Sequence, residues 1–560
     1  MKLAQIKLGF GAIAATIVAA PVHALAIDPA SAEHRLYVQA RLADASGLPE
    51  MAAQNYGRLL AEAPGDKGLA LRAYRQALTA GDFRLASKAA GELDRIGALP
   101  ADGTLLLLSD AVAAKDWVKA RVLCDRIDKE ALFSFLLPVI RGWVAVGAGD
   151  SNPLRAMDTP GQSQLANSYA RDHRILIALV AGKRDEAVQS IRALIAQGDV
   201  RSLRLRLAVA AFVAKTGDRE TAASLLDGRA PELEAARARL AAGKTLPGAI
   251  DDPADGLAEL FTQLAVDVKS GGRSPMSLQL ARLATYVAPA NTGARIAAAD
   301  LLSGAEYRDS ALKLIDGVSP DDPLYDAARQ VRTSILTAKG DKQAVLAELQ
   351  RTAAQPGATP SNFADLGQIL SDLSRPQDAA AAYGRAVAMN KAAGTPNWVY
   401  LFLMASTLDE AGQWPAAKTA LAEANAIDPQ QAIVLNYLGY GMLEHGEDLA
   451  VAQAYIERAS ALDPSDAAIS DSLGWLYYKR GNYAGAIAAL ERAIVADPSE
   501  PVMHDHLGDA YWATGRRIEA RYAWRAALVH AEPDDIARIN RKLADGLDTP
   551  APTKTTSARP

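Results

Sequence analysis

The chain has 560 residues, a formal net charge of −5, half of its residues apolar and only 6% aromatic. That length exceeds one ordinary core, since domains typically hold ~100–200 residues. The composition suits close-packed helices rather than strand-rich folds, and a mildly acidic chain has no general attraction to nucleic acid or anionic lipid.

The first stretch, MKLAQIKLGFGAIAATIVAAPVHALA, reads as a secretory leader. Lys2 and Lys7 make a basic start, and Leu8 to Ala20 form an apolar run too short to span a bilayer comfortably. Ala24-Leu25-Ala26 is a small-x-small cleavage site, which predicts a signal peptide over 1–26 and a mature, periplasmic chain starting near Ile27. No cysteine follows the run to carry a lipid, and no later stretch is long and apolar enough for an integral membrane segment. Cys124, the one cysteine, falls at an apolar helical position in ARVLCDRID and reads as a buried, inert thiol.

Beyond the leader the chain reads as a ladder of helix pairs, roughly thirteen by spacing. Ala52, Ala86 and Ala120 recur every 34 residues, with Tyr56 and Pro64 supporting the first rung. Residues 125–160 fit poorly, then Ala187 and Ala222 resume the phase. Residues 230–256, APELEAARARLAAGKTLPGAIDDPADG, read as an irregular junction. Weak rungs follow at Ser277 with Pro289, at Ala311 and at Ala344, and a clear one at Leu366-Gly367, Ala379, Tyr383 and Ala386. The last four rungs align at steps of 34 or 35 residues: Met404-Ala405, Leu438-Gly439, Leu473-Gly474 and Leu507-Gly508. Leu408, Met442, Tyr477 and Tyr511 follow, then Ala417, Ala452, Ala486 and Ala520, and finally Pro429, Pro464, Pro498 and Pro533. Small residues let two helices approach, large ones fill the gaps, and proline punctuates the exit. This pattern resembles the tetratricopeptide repeat (TPR). The resemblance implies an all-α, TPR-type α-solenoid, a right-handed superhelix of helix-turn-helix repeats. The expected organisation is a leader at 1–26, degenerate repeats at 27–229, the junction at 230–256, degenerate repeats at 257–357, well-matched repeats at 358–546 and a disordered Pro/Thr-rich tail at 547–560.

On the first helix of each repeat, the positions four before, one before, at and three after the small residue form the packing stripe. A second stripe lies three before, one after and four after it. In tetratricopeptide proteins that stripe lines the concave surface, so the resemblance implies candidate protein- or peptide-binding residues there. They are Phe402, Asp409, Asn436, Tyr440, Asp471, Trp475, Tyr478, Asp505, Asp509 and Trp512. Interleaved aromatics and acids suit a basic or neutral extended segment.

No catalytic constellation stands out, and neither a cofactor nor a metal is expected. His504 and His506 are two apart and point to different sides of a helix, and the AAGKT stretch, Ala241 to Thr245, lacks the first glycine of a phosphate loop. The expected function is non-enzymatic: a scaffold or adaptor for protein partners in envelope biogenesis or proteolysis. The run from LNYLGYG to ARYAWRAAL also resembles Gram-negative envelope tetratricopeptide proteins, some of them lipoprotein adaptors for a carboxy-terminal processing protease; this chain lacks their lipidated cysteine. The alternatives are a component of a secretion, pilus or polysaccharide export machine, and an enzyme or carbohydrate binder within the irregular segments.

Overall fold

The computed structural model describes residues 29–158, 164–198, 202–272 and 274–547. Among these residues are 29 α-helices, two short 3-10 segments and no strand. The leader predicted at 1–26 lies outside the described residues, as does the tail from 548 onward. No described helix is long and apolar enough to cross a membrane. The chain divides into two compact units, residues 1–339 and 340–560.

The C-terminal unit opens with the helix Lys342–Ala353 and continues as five antiparallel helix pairs. Their first helices are Pro360–Asp372, Trp398–Glu410, Ala432–Glu444, Ala467–Lys479 and Pro501–Ala513. Their second helices are Pro376–Ala392, Trp414–Ile427, Leu449–Leu462, Tyr483–Ala496 and Arg517–His530. The fourth pair shows how sequence sets the boundaries. Asp466 starts its first helix by accepting from the Ile469 N–H at 2.8 Å, and Asn482 starts the second by accepting from the Gly485 N–H at 3.1 Å. Between them Gly481 holds φ at +77°, a left-handed turn that glycine adopts without a Cβ penalty. Small residues close each pair: a Cβ on Gly474 would meet Leu490 at 2.5 Å, and one on Gly508 would meet Trp524 at 2.4 Å. The apolar clusters of this unit are small and successive, each shared by neighbouring helices, as in solenoids that bury surface only between adjacent repeats.

The N-terminal unit is built differently. Successive helices run from Pro29 to Ala241, and a second set from Pro253 to Ala338 folds back on them. The Arg282 Nε–H donates to the Leu78 carbonyl at 3.1 Å, the Tyr286 hydroxyl to Asp110 at 2.7 Å and the Tyr169 hydroxyl to Asp267 at 2.6 Å. The Ser310 hydroxyl and the Lys313 ammonium donate to Glu50 at 2.8 and 3.3 Å. One apolar cluster extends from Ala40 to Ala298. At its centre the helix Pro253–Ser270 lies so close to Leu137–Gly147 that a Cβ on Gly256 would sit 2.1 Å from the fully buried Trp143 ring. The 230–256 junction holds the helix Pro231–Ala241 and then a helix-free stretch to Asp252.

Candidate protein-binding surface

The inner stripe read from the sequence turns out to serve largely as struts between repeats. Asp471 is buried and pairs with Nδ1 of His506, on the next first helix, at 3.0 Å. Trp475 stacks on His506 at 4.0 Å between centroids and on Tyr478 at 4.9 Å. The Trp475 indole N–H donates to Glu444 at 2.8 Å, and the Lys479 ammonium lies 4.6 Å from the ring centroid. Asp409 accepts from the Tyr437 hydroxyl at 3.2 Å and faces His445 Nε2 at 3.2 Å, while Phe402 meets the Tyr437 ring edge-on at 5.7 Å. Burial and the Asp509 carboxylate push the Tyr478 phenol up to about 12, so it stays a neutral donor.

The last three residues of that stripe lie beneath the closing helix, Pro533–Asp545. Lys542 donates to Asp505 and to Asp509, both at 2.8 Å, and Arg538 also pairs with Asp505. Asp509 accepts from the Trp524 indole N–H at 2.9 Å, and burial holds its carboxyl above the usual range despite the ammonium beside it. Trp512 is buried, donates to the Leu547 carbonyl at 2.9 Å and carries the Arg517 guanidinium 3.8 Å from its ring centroid. The closing helix thus takes the place of a further repeat, which is what a solenoid end requires.

A different row of positions on the same helices is open. Six residues before the small residue stand Val399, Ile433, Ala468 and Val502, all exposed; the first, second and fourth are 37%, 51% and 39% accessible. Five after it stand Asp372, Glu410, Glu444 and Lys479, also exposed. One after it stand Tyr440 and Trp475, half-buried between these two borders. Burial, with Glu444 and Asp471 nearby, pushes the Tyr440 phenol far above its ordinary range. Beside Tyr440, the buried Asn436 Oδ1 has no hydrogen-bond partner among the described residues. Of the ten sequence candidates, Tyr440 and Trp475 stand in this open row. The sequence carried the signal: positions −6, +1 and +5 fall together at ~100° per residue and point directly away from the packing stripe. The stripe read first lies to one side, where neighbouring first helices meet.

Other groups with chemical potential have structural duties. Asp251, Asp252 and Asp255 approach one another, but Asp251 pairs with Lys215 and Asp252 caps a helix through the Asp255 N–H at 2.8 Å. AAGKT ends the helix Pro231–Ala241, with Gly243 at φ +78°; phosphates favour the opposite, N-terminal end of a helix. Nε2 of His504 lies 2.9 Å from the Pro498 carbonyl oxygen. Cys124 is buried and its thiol is pushed up to about 11, in keeping with an inert side chain.

A family model described as tetratricopeptide repeat matches residues 443–501. No curated protein sequence matches the chain. Among solved structures, TTC0263, a thermophilic TPR protein of Thermus thermophilus, is 23% identical, with 34% of this chain and 98% of that one covered and a TM-score of 0.29. PilF of Pseudomonas aeruginosa is 16% identical over 39% of this chain and 98% of its own, with a TM-score of 0.32. A chain of the APC/C hetero-tetramer Cut9–Hcn1 is 14% identical over 93% and 97%, with a TM-score of 0.35. Among the described residues the chain is an all-α helical-repeat protein, and its residues 443–501 match the tetratricopeptide repeat.

Proposed function

We propose that the C-terminal unit is a protein-binding scaffold whose open row holds an extended, basic and apolar peptide segment. One observation carries the reading: an exposed apolar border (Val399, Ile433, Val502) and an exposed acidic border (Glu410, Glu444) flank the aromatics Tyr440 and Trp475. Apolar side chains of a ligand meet the first border, and its lysines or arginines meet the second. A free carboxylate does not fit, because the acidic border repels it. The test compares decapeptides of alternating leucine and lysine with their leucine–glutamate counterparts. The basic peptide is expected to bind at least tenfold more tightly at low salt, and Glu410→Lys with Glu444→Lys to abolish that preference with helicity intact. Equal binding of the two peptides, or an unaffected double variant, overturns the reading.

The leader supports a periplasmic site of action, in a scaffold or adaptor role in the cell envelope. Amino-terminal sequencing of the mature protein from an envelope fraction checks this; a chain retaining Lys2 and Lys7 in the cytoplasm counts against it.

A further inference from the structure

We propose that residues 548–560 of this chain serve as an intramolecular ligand of the open row. The proposal rests on reading that row as a peptide-binding surface, and three observations direct it to this segment.

The first is the exit point. After the helix Pro533–Asp545 the backbone turns at Gly546, with φ at +77°, so tightly against Trp512 that a Cβ there would lie 1.8 Å from the ring. The Leu547 carbonyl then accepts from the Trp512 indole N–H at 2.9 Å. The chain therefore leaves the described residues fixed beside the first helix of the last repeat. The second is charge. Past Asp548 the segment TPAPTKTTSARP carries Lys554 and Arg559 and no acidic side chain. The first helices expose Asp365, Asp372, Glu410 and Glu444 on the side turned from the packing stripe, with Lys479 the opposing cation.

The third is reach. Lys554 stands seven residues beyond Leu547 and Arg559 twelve. At ~3.1–3.3 Å per residue these span roughly 22 and 38 Å. Neighbouring helix axes are ~8–10 Å apart. Glu444, two first helices back, is then ~20 Å away, and Glu410 and Asp372 lie at ~30 and ~40 Å. Both cations come within a side chain's length of an exposed carboxylate. Pro550 and Pro552 favour an extended backbone, which lowers the ordering cost of docking.

A tethered segment acts at an effective concentration of about 1 mM. If its intrinsic Kd is about 0.1 mM, the segment weakens an outside basic peptide about tenfold. The experiment uses the full chain and the leucine–lysine decapeptide as probe. Lys554→Glu with Arg559→Glu is expected to tighten probe binding about tenfold at low salt, with the gap closing in high salt. In the unmodified chain at high dilution, zero-length carbodiimide crosslinking is expected to join Lys554 to Glu444 within one molecule. If the probe binds the unmodified chain, the charge reversal leaves its affinity unchanged and Lys554 forms no crosslink to Glu444, the intramolecular ligand is overturned and the peptide-binding row stands. If the probe binds neither form and no crosslink appears, both readings fall.

Discussion

His173 and Asp255 give the N-terminal unit two opposed responses to acid. His173 is fully buried and accepts from the Trp143 indole N–H at 3.0 Å on Nδ1, so its proton sits on Nε2. Burial pushes its pKa down to about 4. Its neutral form stabilises the fold above pH ~6.5, and that contribution is lost as the pH falls through about 4. Asp255 moves the other way: burial, reinforced by Asp252 and Asp251, raises it to about 6. Its contribution is full below the ordinary carboxylate pKa and is lost as the pH rises through about 6. Each shift corresponds to at most ~3 kcal/mol, and the two windows overlap, so the effects largely cancel in the native chain. Asp255→Asn is therefore expected to stabilise the unit at pH 7.5 by about 1–2 kcal/mol. It is also expected to unmask a loss of about 2–3 kcal/mol between pH 6.5 and 4. Hydrogen-exchange protection of Leu137–Gly147 and Pro253–Ser270 reads both. The identities of such pairs were not legible in the sequence. Asp471 and His506 stand 35 residues apart, and only the stacking of first helices brings Asp471 to the ring. Their residue types gave no sign of whether they would face a ligand or each other.

Among the elements, the closing helix Pro533–Asp545 is anchored by Lys542 together with Arg538 and the buried Ile539. Lys542 is 12% exposed and neutralises two buried carboxylates, Asp505 and Asp509. Removing one partner of a buried ion pair costs about 3–5 kcal/mol, because the other charge stays uncompensated. Lys542→Met is thus expected to free this helix, seen as loss of its amide protection and a red shift of Trp512 emission. Adding Asp509→Asn should recover part of the loss. The asparagine Oδ1 still accepts from Trp524 while the unpaired charge is gone. Within 358–546 the small residues, turns and prolines recur at one spacing. Ala486, Leu490, Ala493 and Trp524 are all buried as that spacing required. It did not show which flank of each first helix would be covered, because that depends on how closely the next helix stacks.

At the scale of the whole chain, the two units hold themselves together over different distances. In the C-terminal unit, apolar contacts join sequence neighbours, so amides are expected to exchange in a gradient from its ends. In the N-terminal unit, partners such as Glu50 and Ser310 are 260 residues apart. Its helices Pro49–Glu62, Lys67–Ala80 and Pro275–Val287 are expected to exchange together. Gly256→Ala, which drives a methyl group into the immobile Trp143 ring, should release them together, at a cost of about 2–4 kcal/mol. The sequence marked the irregular junction at 230–256 from which the fold-back starts, but not the partners that meet across it, since a local period records only contacts between neighbours.

The fold-back also bears on how the protein can change its length. Deleting or duplicating one helix pair between Trp398 and His530 leaves every remaining pair with a neighbour of the same kind. The same edit between Lys67 and Glu130 would move Leu78 and Asp110 out of register with Arg282 and Tyr286. Repeat number can drift in the C-terminal unit, while in the N-terminal unit it is locked by the helices that return to meet it.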